Sequence, residues 1–136
     1  MSRGLFIVVE GLDRTGKSTQ CAQLLNYFSN AGRQATLMKF PGMFIARFIT
    51  LFLPKLIDRT TNVGQMINSY LQSKTELNDK AIHLLFSANR WELSQYIIDT
   101  INSGTTIIAD RYAYSGVAYS IAKVCHDAIS RVLRVN

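Results

Sequence analysis

At 136 residues, with 48% hydrophobic and 18% charged content, the chain has room for one globular domain with a modest core, and its composition is not that of a disordered polymer. The formal net charge of +6 would suit a polyanionic partner, but the excess is scattered: residues 42–57 supply Arg47 and Lys55 without an acid, and residues 124–136 supply Arg131 and Arg134 against Asp127. No basic stripe for nucleic acid emerges, and a small phosphorylated ligand accounts better for Arg14, Lys17 and Arg111.

Residues 5–10, "LFIVVE", form a short continuous apolar run of the kind buried in a parallel sheet. The run is too short for a signal peptide, so no leader is expected. It enters "GLDRTGKST", in which Gly11, Gly16, Lys17 and Ser18 fit G-x-x-x-x-G-K-[ST], a phosphate-binding loop. Gly11, Leu12, Asp13, Arg14, Thr15, Gly16, Lys17, Ser18 and Thr19 are therefore the candidate ATP-binding residues. Such a loop turns its backbone N–H groups inward and leads into the positive end of a helix. Lys17 would meet the β- and γ-phosphates and Ser18 would hold Mg²⁺. The bland alternative is an ordinary glycine-rich turn before a helix. That helix runs on through Cys21, Leu24, Leu25 and Phe28 and stops near Gly32.

Residues 34–40 read as a second strand ending at Pro41, and residues 62–73 as a helix. Residues 78–104 read as one long helix, with Asn78 as N-cap and Gly104 beyond its end. Residues 105–110, "TTIIAD", are a third strand, and residues 111–123 a loop passing into a helix. Alternating strands and helices give an α/β class with a parallel sheet. Cys21 and Cys125 lack metal-ligand spacing and suggest neither zinc nor a disulfide framework, which fits a reducing intracellular compartment.

Asp110 ends a buried strand, where an unpaired carboxylate is costly, and strand C-termini line the ligand crevice of such sheets. It is a candidate metal ligand beside Ser18, and Arg111 a candidate phosphoryl clamp. The alternative is that Asp110 caps the next loop and Arg111 pairs with it. Phe86 and Arg90 stand one turn apart on one helix face, suited to stacking a base and reading its edge. From the residues alone, core for Phe86 and surface charge for Arg90 is the simpler assignment. His83 and His126 are isolated and read as structural or solvated, and Trp91 reads as core.

Together "EGLDRTGKSTQ", "FP", "DRTT", "HLLFSANRWE" and "DRYAYSGVAYSIAK" resemble the thymidylate kinases of eukaryotes and their viruses. The resemblance covers residues 1–41 and 58–123. It implies a three-layer P-loop NTPase-like fold and transfer of the ATP γ-phosphate to dTMP, with Mg²⁺ as cofactor. It further implies that Asp13 contacts the sugar hydroxyl, that Arg14 stabilises the transferring phosphoryl from within the loop, and that Lys17 and Arg111 complete the catalytic set. Arg59 and Arg111 would hold the acceptor phosphate, with Phe86 stacking on thymine and Arg90 reading its carbonyl edge. Ser115, Gly116 and Tyr119 would complete the substrate site, Tyr119 filling the space of a 2′-hydroxyl. ATP and dTMP are thus the expected partners, without nucleic acid or membrane. Pairing of two copies is expected from relatives, as is a cytoplasmic location with nuclear and mitochondrial pools left open.

Two segments depart from the family pattern. Residues 42–57 have 11 apolar residues of 16, too few to span a bilayer and broken by Pro54, and read as an insertion that displaces Arg59 unless it loops out. After Lys123 the resemblance lapses. The family's last strands and lid are therefore expected to be missing, leaving the first strand at the edge of an order 2-3-1 and the whole as a single domain over residues 1–136. Two rivals remain open: a nucleotide-binding fragment that does not transfer phosphate, and a kinase for another nucleoside monophosphate.

Overall fold

A computed structural model describes residues 2–40, 43–44 and 61–133. The chain runs β1 (Phe6–Val9), α1 (Lys17–Asn30), β2 (Ala35–Lys39), β3 (Met43–Phe44), α2 (Asn62–Leu71), α3 (Asp79–Glu92), α4 (Ser94–Asn102), β4 (Thr106–Asp110) and α5 (Ala113–Leu133). The sheet order is β1-β4-β2-β3. β4 lies between β1 and β2, parallel to both, with Ile108 opposite Ile7 and Leu37. Every residue of β4 is buried, as its continuous apolar run demands. β1 sits at the edge and is half-buried throughout, as expected for the first strand.

Successive residues of β4 point to opposite faces, and two cores follow from that alternation. On one face Ile108 packs with Cys21 and Phe28 of α1, flanked by Leu24, Leu25 and Leu37. On the other, Ile107 packs with Met38, Phe40 and the α4 residues Ile97 and Ile101. Helix, sheet and helix form three layers, in agreement with the α/β assignment. Asn78 caps α3, its side chain accepting from Lys80 N at 2.9 Å, and Gly104 follows α4 at φ +93°.

Two sequence expectations need correction. The long helix over residues 78–104 is two helices, broken at Leu93. There Ser94 Oγ takes the Trp91 carbonyl at 2.8 Å, so a side chain occupies an acceptor at the end of α3. The break lets α4 lie on the sheet while α3 leans toward α5. Trp91 is not core: it is 76% exposed. Within the segment read as an insertion, Met43 and Phe44 pair antiparallel with β2, Met43 opposite Lys39. Residues 45–57, Arg59 and Pro41 lie outside the described residues.

Candidate active site

The loop between β1 and α1 carries two left-handed residues, Arg14 at φ +62° and Gly16 at φ +84°. Gly16 is the N-cap of α1 and supplies no side-chain acceptor, so no capping side chain occupies the first N–H groups of the helix. Lys17 is only 9% exposed. Its Nζ reaches back across the loop to the Leu12 carbonyl and lies 3.4 Å from Thr15 Oγ1, which itself donates to Leu12 O at 2.8 Å. An ammonium group thus sits within the loop at the start of α1, an arrangement suited to a polyphosphate.

At the C-terminal end of the central strand, Asp110 is 2% exposed and its Oδ2 accepts from Ser18 Oγ at 2.6 Å. Neither bland assignment for this pair holds, since Asp110 meets Ser18 and Arg111 pairs with Asp13. A hydroxyl and a carboxylate side by side at the mouth of a phosphate loop form a hard oxygen-donor set. They fit a divalent cation that takes its remaining ligands from phosphates and water. No group of three His, Cys, Asp or Glu side chains suited to a metal exists among the described residues.

Arg111 begins the chain's departure from β4 in a left-handed conformation, φ +72°, with its N–H on Val9 O at 2.9 Å. One edge of its guanidinium pairs with Asp13 Oδ1, and Nη1 donates to Ser115 Oγ at 3.1 Å. The other Asp13 oxygen accepts from the Tyr119 hydroxyl at 3.2 Å. Sequence reasoning missed Glu10 here. Its Oε1 accepts from the backbone N–H of Tyr112 at 2.9 Å, and its Oε2 accepts the Ser115 hydroxyl proton. Burial works to raise this carboxyl, but the Ser115 hydroxyl and the N–H groups at the start of α5 outweigh it and hold the carboxyl below its usual range. An acid ending an apolar strand was its only sequence signal.

Beyond these groups a cavity of about 440 Å³ opens between α3 and α5. Asp13, Phe86, Arg90, Arg111, Ser115, Gly116 and Tyr119 all line it, so the described residues expected to bind acceptor converge on one cavity. Phe86 and Arg90 are half-buried, at neither the core nor the free surface to which simple patterning assigned them. The two helices run antiparallel with matched rungs. A Cβ added at Gly116 would stand 3.3 Å from Arg90 Nη1; His83 Nδ1 lies 2.6 Å from Ser120 Oγ; Lys123 Nζ pairs with Asp79. Lys123 also donates to the Tyr70 hydroxyl and lies over its ring. Asp79 first, then Tyr70, raises the Lys123 pKa. His83, Asp79, Tyr70, Ser120 and Lys123 line the cavity, and none was anticipated. The spacing 79, 82, 83, 86, 90 on one helix face was the available signal.

Arg14, Leu12, Gly11, Ser18 and Thr19 remain on the phosphate-loop side and do not line this cavity. Asp13, which does, lies at the junction of the two regions. Among the described residues, no helix is long and apolar enough to cross a membrane.

Comparison with known proteins gives a consistent answer. The family model "Thymidylate kinase" matches residues 9–134, running past Lys123 where the motif resemblance lapses. A thymidylate kinase from Arabidopsis thaliana is 50% identical over 121 residues, covering 89% of this chain and 40% of that protein. One from Schizosaccharomyces pombe is 50% identical over 122 residues, covering 90% of this chain and 50% of that protein. The structure of the Candida albicans thymidylate kinase superposes with a TM-score of 0.71 at 48% identity, over 90% of this chain and 46% of that one. The chain therefore spans about half the length of the relatives it matches. With the phosphate loop, the Ser18–Asp110 pair and the α3–α5 cavity in one fold, this chain belongs to the thymidylate kinase family.

Proposed function

We propose that the chain transfers the γ-phosphate of ATP to dTMP, giving ADP and dTDP. The observation that carries this reading is the convergence of Phe86, Arg90, Arg111, Asp13 and Tyr119 on one cavity adjoining the phosphate loop. An aromatic face, a guanidinium fork and a second guanidinium suit a base, its edge and a phosphate respectively. In this reading Lys17 and the N–H groups of the loop hold the ATP phosphates, and Arg14 faces the charge that develops on the transferring phosphoryl. Arg111 and Arg59 hold the acceptor phosphate, Ser115 and Gly116 shape its surroundings, and Asp13 orders the sugar. Tyr119, beside Asp13, narrows the space at the sugar against a 2′-hydroxyl.

Mg²⁺ is the proposed metal, held by Ser18 and Asp110, and when bound it neutralises phosphate charge. Two copies pairing through α3 is also part of the proposal: Leu84 and Trp91 are exposed seven residues apart, on the same face of that helix. The buried thiol of Cys21 fits a reducing compartment such as the cytoplasm.

The test is a product assay with the purified chain, ATP, Mg²⁺ and a panel of nucleoside monophosphates. Formation of dTDP in preference to the other diphosphates is expected. Nucleotide binding without any diphosphate product would overturn the transfer, and preference for another acceptor would overturn the substrate.

A further inference from the structure

Glu10 does not line the cavity, yet its carboxylate holds the Ser115 hydroxyl, one of the two partners of the Arg111 guanidinium, and the Tyr112 peptide that follows Arg111. The Ser115 hydroxyl has one proton, and Glu10 Oε2 takes it. The hydroxyl oxygen is then left as an acceptor, and it is to this oxygen that Arg111 Nη1 donates at 3.1 Å. Asp13 takes the other edge of the guanidinium, so the plane of the fork is fixed from two sides. Glu10 Oε1 meanwhile holds Tyr112 N at 2.9 Å, the peptide that follows Arg111 in its left-handed conformation. Such a conformation is costly for a residue with a side chain and persists where neighbours over-determine it.

We infer that Glu10 is a positioning residue for Arg111, acting through the Ser115 hydroxyl and the Tyr112 peptide. The inference rests on the proposed acceptor site for its consequence in binding, but not for the geometry itself. A carboxylate is required at this place. An amide offers one acceptor oxygen, and its NH₂ group would face donors. With glutamine, the Ser115 proton turns elsewhere, and Nη1 of Arg111 loses a defined acceptor.

The experiment uses the isotope-labelled full chain and has two arms. In the first, without ligand, the guanidinium of Arg111 held at both edges gives resolved, slowly rotating Nη signals in the parent protein. Glu10→Gln should collapse them to the average of a freely rotating group, Ser115→Ala should do the same while leaving the Tyr112 peptide bonded, and the double variant should add nothing. Glu10→Asp should restore them in part. In the second arm, calorimetry with dTMP and with ATP should show dTMP affinity about tenfold weaker in Glu10→Gln, the scale of a hydrogen bond to a charged group, with ATP affinity unchanged. Unaltered Arg111 signals in Glu10→Gln or in Ser115→Ala would overturn the inference. So would equal loss of dTMP and ATP affinity, the mark of a carboxylate that only caps α5. A parent protein with the expected Arg111 signals but no dTMP binding would leave the positioning in place and sink the acceptor assignment instead.

Discussion

Ser18 Oγ and Asp110 Oδ2 lie 2.6 Å apart, joining the first turn of α1 to the end of β4 across 92 positions of sequence. Both stand at the C-terminal end of the parallel strands, where such sheets open into a ligand crevice. Asp110→Asn keeps the size of the side chain but removes the charge. The expected outcome is a loss on the order of tenfold or more in the Mg²⁺ dependence of ATP binding, with the thermal midpoint changed far less. Titrating Mg²⁺ at fixed ATP by calorimetry measures it.

Lys17→Ala removes the ammonium group from inside the phosphate loop. If the lysine meets desolvated phosphate there, ATP affinity should fall by about 2–5 kcal/mol. Unchanged ATP binding in the variant would show that the loop does not hold the phosphates.

A side chain at position 116 is expected to move Arg90. The added Cβ of Gly116→Ala would stand 3.3 Å from Arg90 Nη1, and the branches of Gly116→Val extend further into the same space. Arg90 is the end of a flexible side chain, so the fold should survive while dTMP affinity falls by about 1–3 kcal/mol, the scale of an arginine fork on a base edge. Circular dichroism and dTMP titration of both variants, with valine the more affected, check this.

Two pairs carry opposite pH signatures. The Glu10 carboxyl is depressed in the folded chain, so its contribution to stability is complete above the ordinary glutamate pKa and is lost as pH falls through the lowered folded value. The stability gap between the parent and Glu10→Gln should therefore be constant near neutrality and close under acid. Lys123 is raised, by Asp79 first and Tyr70 next. Its contribution is complete below the ordinary lysine pKa and is lost as pH rises through the folded value, so Lys123→Met should lose its difference from the parent only under strong alkali. Denaturant titrations across pH measure both.

Much of this architecture was legible because it is written locally. A glycine-and-lysine loop between an apolar strand and a helix has a defined geometry, and Asn78 announced the start of α3. Asp110 was legible for a related reason, since a carboxylate ending a buried strand needs a partner. What escaped were pairings between distant segments. The Glu10–Ser115 bond and the Asp79–Lys123 pair join residues 105 and 44 positions apart, and no spacing rule relates them. The break at Leu93 was hidden because apolar residues at helical spacing continue through it, and the one local polar contact there, Ser94 Oγ to the Trp91 carbonyl, leaves no mark in the apolar pattern. Trp91 was misassigned because size and hydrophobicity predict burial only when a neighbour exists to cover the ring.

The most direct test of a thymine site between α3 and α5 is calorimetry of dTMP and ATP on the parent chain and on Phe86→Ala. The parent should bind both ligands. Phe86→Ala should weaken dTMP by about 1–3 kcal/mol, the scale of base stacking on an aromatic ring, and leave ATP unchanged. No dTMP binding by the parent, or equal weakening of both ligands in the variant, would contradict the assignment of the cavity.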